Sequence, residues 1–283
     1  MTAPPGIVVT GASTGIGHAS ALALAEHGFQ VFAGVRDPQA AERLGSAHDR
    51  ITPISLDVTS AEQIAAAVRQ VDGELGDRPL AGLMNNAGVV AAAPLEFLAL
   101  EDLRTQLEVN VVGAVAVTQA FLPRLRESRG RILFTGSVSG ILTTPIVGGY
   151  CITKAALESV ADSFRQELAP MGIQVSLLQL GAVETPLWDK SRDQAERYFD
   201  SAPPEVRRLY GDLIDRTVAL TLDYRGRAVA PEVVASTVVR AMTCSTPRPR
   251  YLLGGDAWPQ FLISRLPSRW RDRLLAALRR RFS

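Results

Sequence analysis

Short, almost wholly apolar runs rich in β-branched residues alternate along this chain with longer alanine- and leucine-rich segments of helical period. The runs Ile7 to Thr10, Gln30 to Val35, Ile51 to Leu56, Leu80 to Asn85, Arg131 to Thr135 and Gln174 to Leu180 lack the polar alternation of a half-exposed strand. They read as strands covered on both faces. Between them the pattern predicts helices over Gly15 to His27, Pro38 to Gly45, Ser60 to Glu74, Leu100 to Leu125 and Tyr150 to Ala169. Gly28 ends the first by a left-handed turn, and Ser60 caps the third. A looser segment runs from Glu184 to Gly226. It is followed by a helix over Pro231 to Met242, a short seventh strand over Arg250 to Leu253 and a helical tail. Strands separated by helices require right-handed crossovers. The expectation is therefore an α/β fold: a single domain over residues 1–257 with a doubly wound, mostly parallel seven-stranded sheet and helices on both faces, and a tail over 258–283.

Composition changes this picture little. A chain of 283 residues is long enough for one large, well-filled domain. A net charge of +1 gives no global reason to expect nucleic-acid binding. Cys151 and Cys244 have neither metal-like nor disulfide-like spacing and read as free thiols of a reducing cytoplasm. The start of the chain lacks the basic and apolar regions of a signal peptide. No uninterrupted run of about 20 apolar residues suggests a membrane span.

The segment Thr10-Gly11-Ala12-Ser13-Thr14-Gly15-Ile16-Gly17 joins the first strand to the first helix. Glycines let the backbone turn tightly and approach a ligand closely. The helix N-terminus behind them offers free N–H groups and partial positive charge to a pyrophosphate. The spacing Gly-x-x-x-Gly-x-Gly differs from the usual Gly-x-Gly-x-x-Gly fingerprint, and the Lys-Ser/Thr ending of a triphosphate loop is missing. With this spacing the chain resembles the short-chain dehydrogenase/reductase family, strongly over residues 5–185 and weakly beyond. Further motifs carry the resemblance in the same order: Asp57-Val58 after the third strand, Asn85-Asn86-Ala87-Gly88 after the fourth, Asn110 in the long helix, and Ser137 thirteen residues before Tyr150. The resemblance implies a Rossmann fold. It also implies a dinucleotide cleft formed by Gly11, Ser13, Thr14, Gly15, Ile16, Gly17, Asp57, Val58, Asn86, Ala87, Gly88, Gly181, Val183 and Thr185, together with Tyr150 and Lys154.

The end of the second strand bears on the choice of cofactor. A carboxylate there would accept from the ribose 2′-OH of NAD and repel a 2′-phosphate. By resemblance that position is Val35, which is apolar, and Arg36 stands where NADP-preferring members place an arginine. A guanidinium can pair bidentately with a phosphate. Asp37 can weaken the field of Arg36 or bind a ribose after a one-residue shift. The reading favours NADP(H) and leaves NAD(H) open.

Lys154 is one of two lysines among 28 arginines, so a compact ammonium at this place needs a reason. Four residues after Tyr150, it shares the same helix face. An ammonium beside a phenol lowers a pKa that starts near ~10, which makes the tyrosine a proton donor or acceptor near neutral pH. The resemblance assigns Ser137, Tyr150 and Lys154 as catalytic, with Ser137 and Tyr150 on the substrate oxygen. It makes Asn110 a supporting member that holds a water at a helix irregularity. The implied activity is oxidoreduction between a secondary alcohol and a ketone or aldehyde, with no metal. Leu180-Gly181 departs from the family's Pro-Gly, which predicts a looser turn and leaves the pose of Val183 and Thr185 open.

Residues 185–226 are expected to form a lid. Leu187, Trp188, Tyr198, Phe199, Leu209, Tyr210, Leu213 and Ile214 supply apolar surface, and Ile141, Leu142, Pro145 and Ile146 add more. Such a pocket suits a lipophilic alcohol or ketone, and a loose resemblance to the hydroxysteroid and retinol dehydrogenase branch implies a steroid-, retinoid- or ketoacyl-like molecule. The tail from Trp258 carries seven arginines and one aspartate, with Trp270, Leu274, Leu278 and Phe282 on one stripe. A packed terminal helix and peripheral contact with an anionic membrane are the two readings, the first favoured. Family resemblance implies a homodimer or homotetramer through helices 100–125 and 150–169. The rival function is a non-catalytic, dinucleotide-sensing regulator on the same fold. An intact Ser137, Tyr150 and Lys154 set argues against it. A sugar-nucleotide epimerase or dehydratase is disfavoured by the loop spacing and the short chain.

Overall fold

The computed structural model describes residues 3–280, without the side chains of residues 190, 201 and 279. Phe282 of the tail stripe lies outside the described residues. Seven strands form one sheet: β1 (Gly6–Thr10), β2 (Gln30–Val35), β3 (Ile51–Ser55), β4 (Leu80–Asn85), β5 (Arg131–Thr135), β6 (Gln174–Leu180) and β7 (Arg250–Leu253). Their order is β3-β2-β1-β4-β5-β6-β7, and every pairing is parallel. The order reverses between β1 and β4, which opens a crevice at the carboxyl ends of the strands.

The apolar runs are buried on both faces because alternate residues enter two different layers. Val8, Phe32, Leu83 and Phe134 pack with α3 (Ala61–Leu75), α5 (Gly113–Ser128) and α6 (Gly148–Leu168). Ile7, Val9, Val31, Met84, Leu133 and Leu178 pack on the other side with α1 (Gly15–Glu26), α2 (Pro38–Ala47) and α9 (Pro231–Thr243). Each large apolar side chain so enclosed contributes about 1.5–3 kcal/mol. The Ser60 hydroxyl accepts from Gln63 N at 3.2 Å to cap α3, and Gly28 (φ +102°) follows α1, both as expected.

Two predicted elements differ. The helix expected over Leu100–Leu125 is α4 (Leu100–Leu107), a π-turn over Glu108–Val112 at the irregularity that the resemblance implied beside Asn110, and then α5. The segment 184–226, read as loose, holds two long helices, α7 (Leu187–Ser201) and α8 (Pro204–Arg225). The tail forms α10 (Ala257–Ser264) and α11 (Ser268–Arg279). Among the described residues no helix is long and apolar enough to cross a membrane.

Candidate active site

A cavity of about 890 Å³ occupies the crevice. Every site residue singled out from the sequence lines it except Gly17 and Asn110, which lie just behind its wall. Gly11 (φ +63°) and Gly15 (φ +56°) hold left-handed conformations that side chains resist. A Cβ on Gly11 would meet Ala87 Cα at 2.8 Å, and one on Gly17 would meet Gly11 O at 2.3 Å and Asn86 Nδ2 at 2.5 Å. The loop is thus pressed against the end of β4. The Thr10 hydroxyl accepts from Asn86 N (2.9 Å) and Ala87 N (3.0 Å), and Asn86 Nδ2 donates to Thr10 O (3.2 Å) and Gly11 O (3.1 Å). The side chain of Asn86 is therefore a strut of this loop. Helix α1 begins without a side-chain cap or an acidic residue in its first turn. Its first N–H groups and positive dipole end are left for an anion, and the glycine cradle fits a dinucleotide pyrophosphate.

At the far end of this cradle Val35 is buried and the Arg36 guanidinium is largely exposed, 3.7 Å from Asp57 Oδ2. The Thr59 amide, followed by its hydroxyl and by Arg36, holds the Asp57 carboxyl below its usual range against the opposing effect of burial. Asp37 takes a third role beside the two expected of it: its carboxylate accepts from Gln39 N at 3.1 Å and caps α2. Arg43 of α2, which no sequence motif marked, joins Arg36 on the cavity wall.

The other end is built where β5 runs into α6. Ser137 caps a short 3-10 turn over Val138–Gly140. Its Oγ accepts from Ser139 N (3.1 Å) and donates to Leu180 O (3.2 Å). A Cβ on Gly140 would meet Lys154 O at 2.7 Å, so the bare glycine lets this turn lie directly on α6. That contact brings Ser137, Tyr150 and Lys154 together. Ser137 and Tyr150 line the same stretch of cavity wall. Lys154 is 5% exposed and donates to Thr135 O at 2.8 Å, with its Nζ 5.5 Å from the centroid of the Tyr150 ring.

The ionisation of this pair differs from the sequence expectation. Burial pushes Tyr150 up to about 12, opposed by the nearby Ser137 hydroxyl. Burial likewise pushes Lys154 down to about 8. Loss of water penalises both charged forms, and it outweighs the pull of an ammonium that points at a backbone carbonyl.

Asn110 sits in the π-turn, 1% exposed. Its Oδ1 accepts from Val89 N (2.8 Å), and its Nδ2 donates to Val89 O (2.8 Å) and to Thr153 Oγ1 (3.0 Å). The Thr153 hydroxyl donates in turn to Tyr150 O at 2.8 Å. Asn110 thereby ties the strand-4 loop to the helix that carries Tyr150, and Thr153 is a member of this tie that sequence reasoning missed.

The turn after β6 is pinned, not loosened, although Leu180 replaces proline. Gly181 N donates to Leu253 O (2.8 Å), Ala182 N to Asp256 Oδ1 (2.9 Å) and Glu184 N to Val229 O (2.9 Å), while Trp188 Nε1 donates to Val183 O (2.7 Å). Asp256 and Gln260 also line the cavity, though nothing near them in sequence signals it. Of the apolar residues expected at the substrate end, Leu187, Trp188, Phe199, Ile214 and Ile146 reach the cavity. Tyr198, Tyr210 and Leu213 instead pack beneath them against Phe97 and Ile146, and Leu209 is exposed.

Comparison with known proteins agrees with this geometry. The family model described as short chain dehydrogenase matches residues 6–196. The chain is 35% identical over 252 residues to a 3-amino-tetrahydro-pyrrolizinone reductase of Xenorhabdus hominickii, with 89% of this chain and 87% of the relative covered. It is 35% identical over 277 residues to retinol dehydrogenase 5 of Mus musculus, covering 95% and 87%. It is 33% identical over 276 residues to 17-beta-hydroxysteroid dehydrogenase type 6 of Homo sapiens, again covering 95% and 87%. Among solved structures, a short-chain dehydrogenase from Streptomyces avermitilis superposes with a TM-score of 0.78 at 28% identity, covering 98% and 96% of the two chains. A short chain dehydrogenase from Burkholderia cenocepacia in complex with NADP gives 0.72 at 25% identity, covering 98% and 99%. A 3-ketoacyl-(acyl-carrier-protein) reductase from Brucella melitensis complexed with NADH gives 0.70 at 25%, covering 85% and 91%. A glycine cradle, a serine, a tyrosine and a lysine gathered at one cavity wall, and relatives matched over most of their length converge on one conclusion: the protein belongs to the short chain dehydrogenase family and is an NAD(P)-binding oxidoreductase acting on CH–OH groups.

Proposed function

We propose that the protein is an NADP(H)-dependent oxidoreductase that interconverts a lipophilic secondary alcohol and its ketone. The observation that carries this reading is the meeting of Ser137, half-buried Tyr150 and buried Lys154 at one wall of a cavity whose other wall is Leu187, Trp188, Phe199 and Ile214. Residues Gly11 to Gly17 hold the pyrophosphate, Arg36, Asp57 and Val58 the adenosine end, and Asn86 to Gly88 with Gly181, Val183 and Thr185 the nicotinamide end. Arg36 supports NADP(H), since a guanidinium matches a 2′-phosphate and Val35 offers no carboxylate to a 2′-OH.

When bound, the dinucleotide supplies or accepts the hydride. Reduction of a ketone builds negative charge on its oxygen. Ser137 orients that oxygen by a hydrogen bond, and the Tyr150 hydroxyl gives it a proton. A phenol held near 12 stays protonated at neutral pH, which suits this direction. Lys154 places positive charge beneath the phenol and holds the ribose, and Asn110 fixes the strand-4 loop against that helix. Residues 185–226 act as the lid that excludes water. The experiment is turnover of NADPH with a panel of lipophilic ketones by the parent and by Tyr150→Phe. The parent is expected to turn over at least one ketone, and the variant to lose about 10²–10⁴-fold in kcat while still binding NADPH. Equal turnover by the two proteins would overturn the assignment of Tyr150, and a parent that binds NADPH but turns over no ketone would favour the dinucleotide-sensing rival.

Two further readings concern partners. Exposed Trp258, Leu262, Trp270 and Leu274 beside Arg269 and Arg273 support peripheral contact of the cytoplasmic protein with an anionic lipid surface. Co-sedimentation with anionic vesicles, with and without residues 258–283, tests it, and equal binding removes the idea. Exposed Val112 of the π-turn and Ile152 of α6 support homo-oligomerisation through segments 100–125 and 150–169, to be read as a dimer or tetramer by light scattering.

A further inference from the structure

Asp256 stands outside every motif, yet it is the most constrained carboxylate at the nicotinamide end of the cavity. It follows β7 by way of Gly254, whose φ of +116° turns the chain back towards β6. The side chain is 6% exposed, and both of its oxygens are engaged. Oδ1 accepts from Ala182 N at 2.9 Å, and Oδ2 accepts from Gln260 Nε2 at 2.7 Å. The carboxylate fills the space that a side chain on Gly181 would need, since a Cβ there would lie 2.2 Å from Oδ1. One residue back, Leu180 O receives the Ser137 hydroxyl at 3.2 Å. Two residues on, Val183 O receives Trp188 Nε1 at 2.7 Å. A buried carboxylate is tolerated only where donors satisfy it, and here those donors are the turn itself and a glutamine of α10.

We infer that Asp256 is a positioning residue: with Gln260 it clamps the Gly181–Ala182 turn, and through that turn it sets where the nicotinamide half of the dinucleotide rests and which way Ser137 points. This rests on the proposed function only in taking residues 181–185 as the nicotinamide contact. It assigns to α10, the first helix of the tail, a share in the reaction geometry, which a tail that merely covers the sheet would not have. Removing the clamp frees the turn to move away from the cavity, so affinity falls only for ligands that reach this end. The adenosine phosphates are held by Gly11 to Gly17 and Arg36, on the opposite side of the switch point, and do not feel the change.

That difference gives the test. NADPH and 2′,5′-ADP, which lacks the nicotinamide, are titrated against the parent, Asp256→Ala, Asp256→Asn and Gln260→Leu by fluorescence and calorimetry. Asp256→Ala is expected to weaken NADPH about tenfold and leave 2′,5′-ADP unchanged. Asp256→Asn keeps an acceptor for Ala182 N, and Gln260 can turn its amide to meet the new donor, so it should restore most of the loss. Gln260→Leu, which removes one donor of the pair, should weaken NADPH by about two- to fivefold with no effect on 2′,5′-ADP. Should Asp256→Ala fail to fold, Gln260→Leu decides by the same comparison. Equal loss on both ligands, or none on either, overturns the clamp. A parent that binds neither ligand, nor NADH, instead sinks the functional reading on which it rests.

Discussion

At the dinucleotide end of the cavity the left-handed backbone positions fall on Gly11 and Gly15, whereas at the substrate end the same region of backbone space is occupied by Ile146, with φ of +71°. The first end is specified by what side chains would obstruct: the loop fits because Gly11 and Gly17 have none. The second end is specified by what side chains fill. There Phe97, Ile146 and, from α8, Val206 and Ile214 pack into one cluster, so that three separate segments meet. A β-branched residue at positive φ is held against its own preference by that packing, here together with the bond from Ala93 N to Ile146 O at 2.8 Å. The difference teaches that one half of the site is encoded locally and the other by long-range contacts. The two halves should therefore respond to mutation in different ways.

The sharpest test is Gly17→Val. Its Cβ would enter within 2.3 Å of Gly11 O, and backbone cannot yield as a flexible side chain can. NADPH affinity should fall at least about a hundredfold, because the loop must move away from β4 to make room. Phe199→Ala on the lid should leave NADPH affinity unchanged and raise only the KM of a lipophilic ketone. If Gly17→Val bound NADPH within a few-fold of the parent in a direct titration, the distinction between a backbone-built and a side-chain-built end would be lost.

Lys154 lies where the two ends meet, and it carries a cost that the sequence concealed. Its ammonium is buried and its pKa is brought down from 10.5 to about 8. Between these values the unfolded chain holds more protons than the folded one, so the penalty is complete below pH 8 and gone above about 10.5. Lys154→Met should therefore raise the stability of the fold at pH 7 by an amount on the order of 2 kcal/mol, once the lost bond to Thr135 O is subtracted. The gain should vanish by pH 10.5, while turnover is lost. Denaturant titrations at pH 7 and pH 10.5 check it. A variant less stable than the parent at both values would show that the ammonium is better satisfied than its burial implies. In the parent, ketone reduction should decline as pH rises through about 8, since Lys154 loses its charge well before Tyr150 titrates.

How much of this could be read from the sequence follows the same division. The bounds of β2, β4, β5, β6 and β7 were legible because each is a short apolar run with no competing period. The glycine loop and the order of Ser137, Tyr150 and Lys154 were legible because each motif is local. Helices α7 and α8 were not. Leu187 to Ser201 is rich in charge, and its few apolar residues gain their partners only from the loops near Phe97 and Ile146. The π-turn at Asn110 was invisible to helical period because its cause is a pair of bonds to Val89 and one to Thr153. Asp256 lies 74 residues from the amide that it holds. The phenol of Tyr150 was misjudged for a related reason: spacing reveals a neighbouring charge but not the loss of water around it.

A milder probe of the dinucleotide end is Arg36→Leu. The guanidinium is exposed and only loosely paired with Asp57, so its removal should not disturb the fold. NADPH affinity should drop about tenfold, with NADH unchanged or improved, as measured by the ratio of the two dissociation constants. A ratio that did not move would mean that the proposed preference for a 2′-phosphate does not depend on this residue.

The smallest effect is expected at Ile146, where the two ways of specifying structure oppose each other. Ile146→Gly removes a left-handed strain of about 1–2 kcal/mol and also a buried side chain worth about 1.5–3 kcal/mol. The two terms nearly cancel, so the melting temperature should shift by no more than about 5 °C. The cavity wall nevertheless loses its apolar branch, and the KM of a lipophilic ketone should rise about threefold while NADPH affinity stays the same. Ile146→Val keeps the strain and loses only one methylene, so it should be less stable than the parent with little change in KM. If glycine proved far more destabilising than valine, the backbone at 146 would be comfortable as it stands. The substrate end would then be encoded as locally as the other.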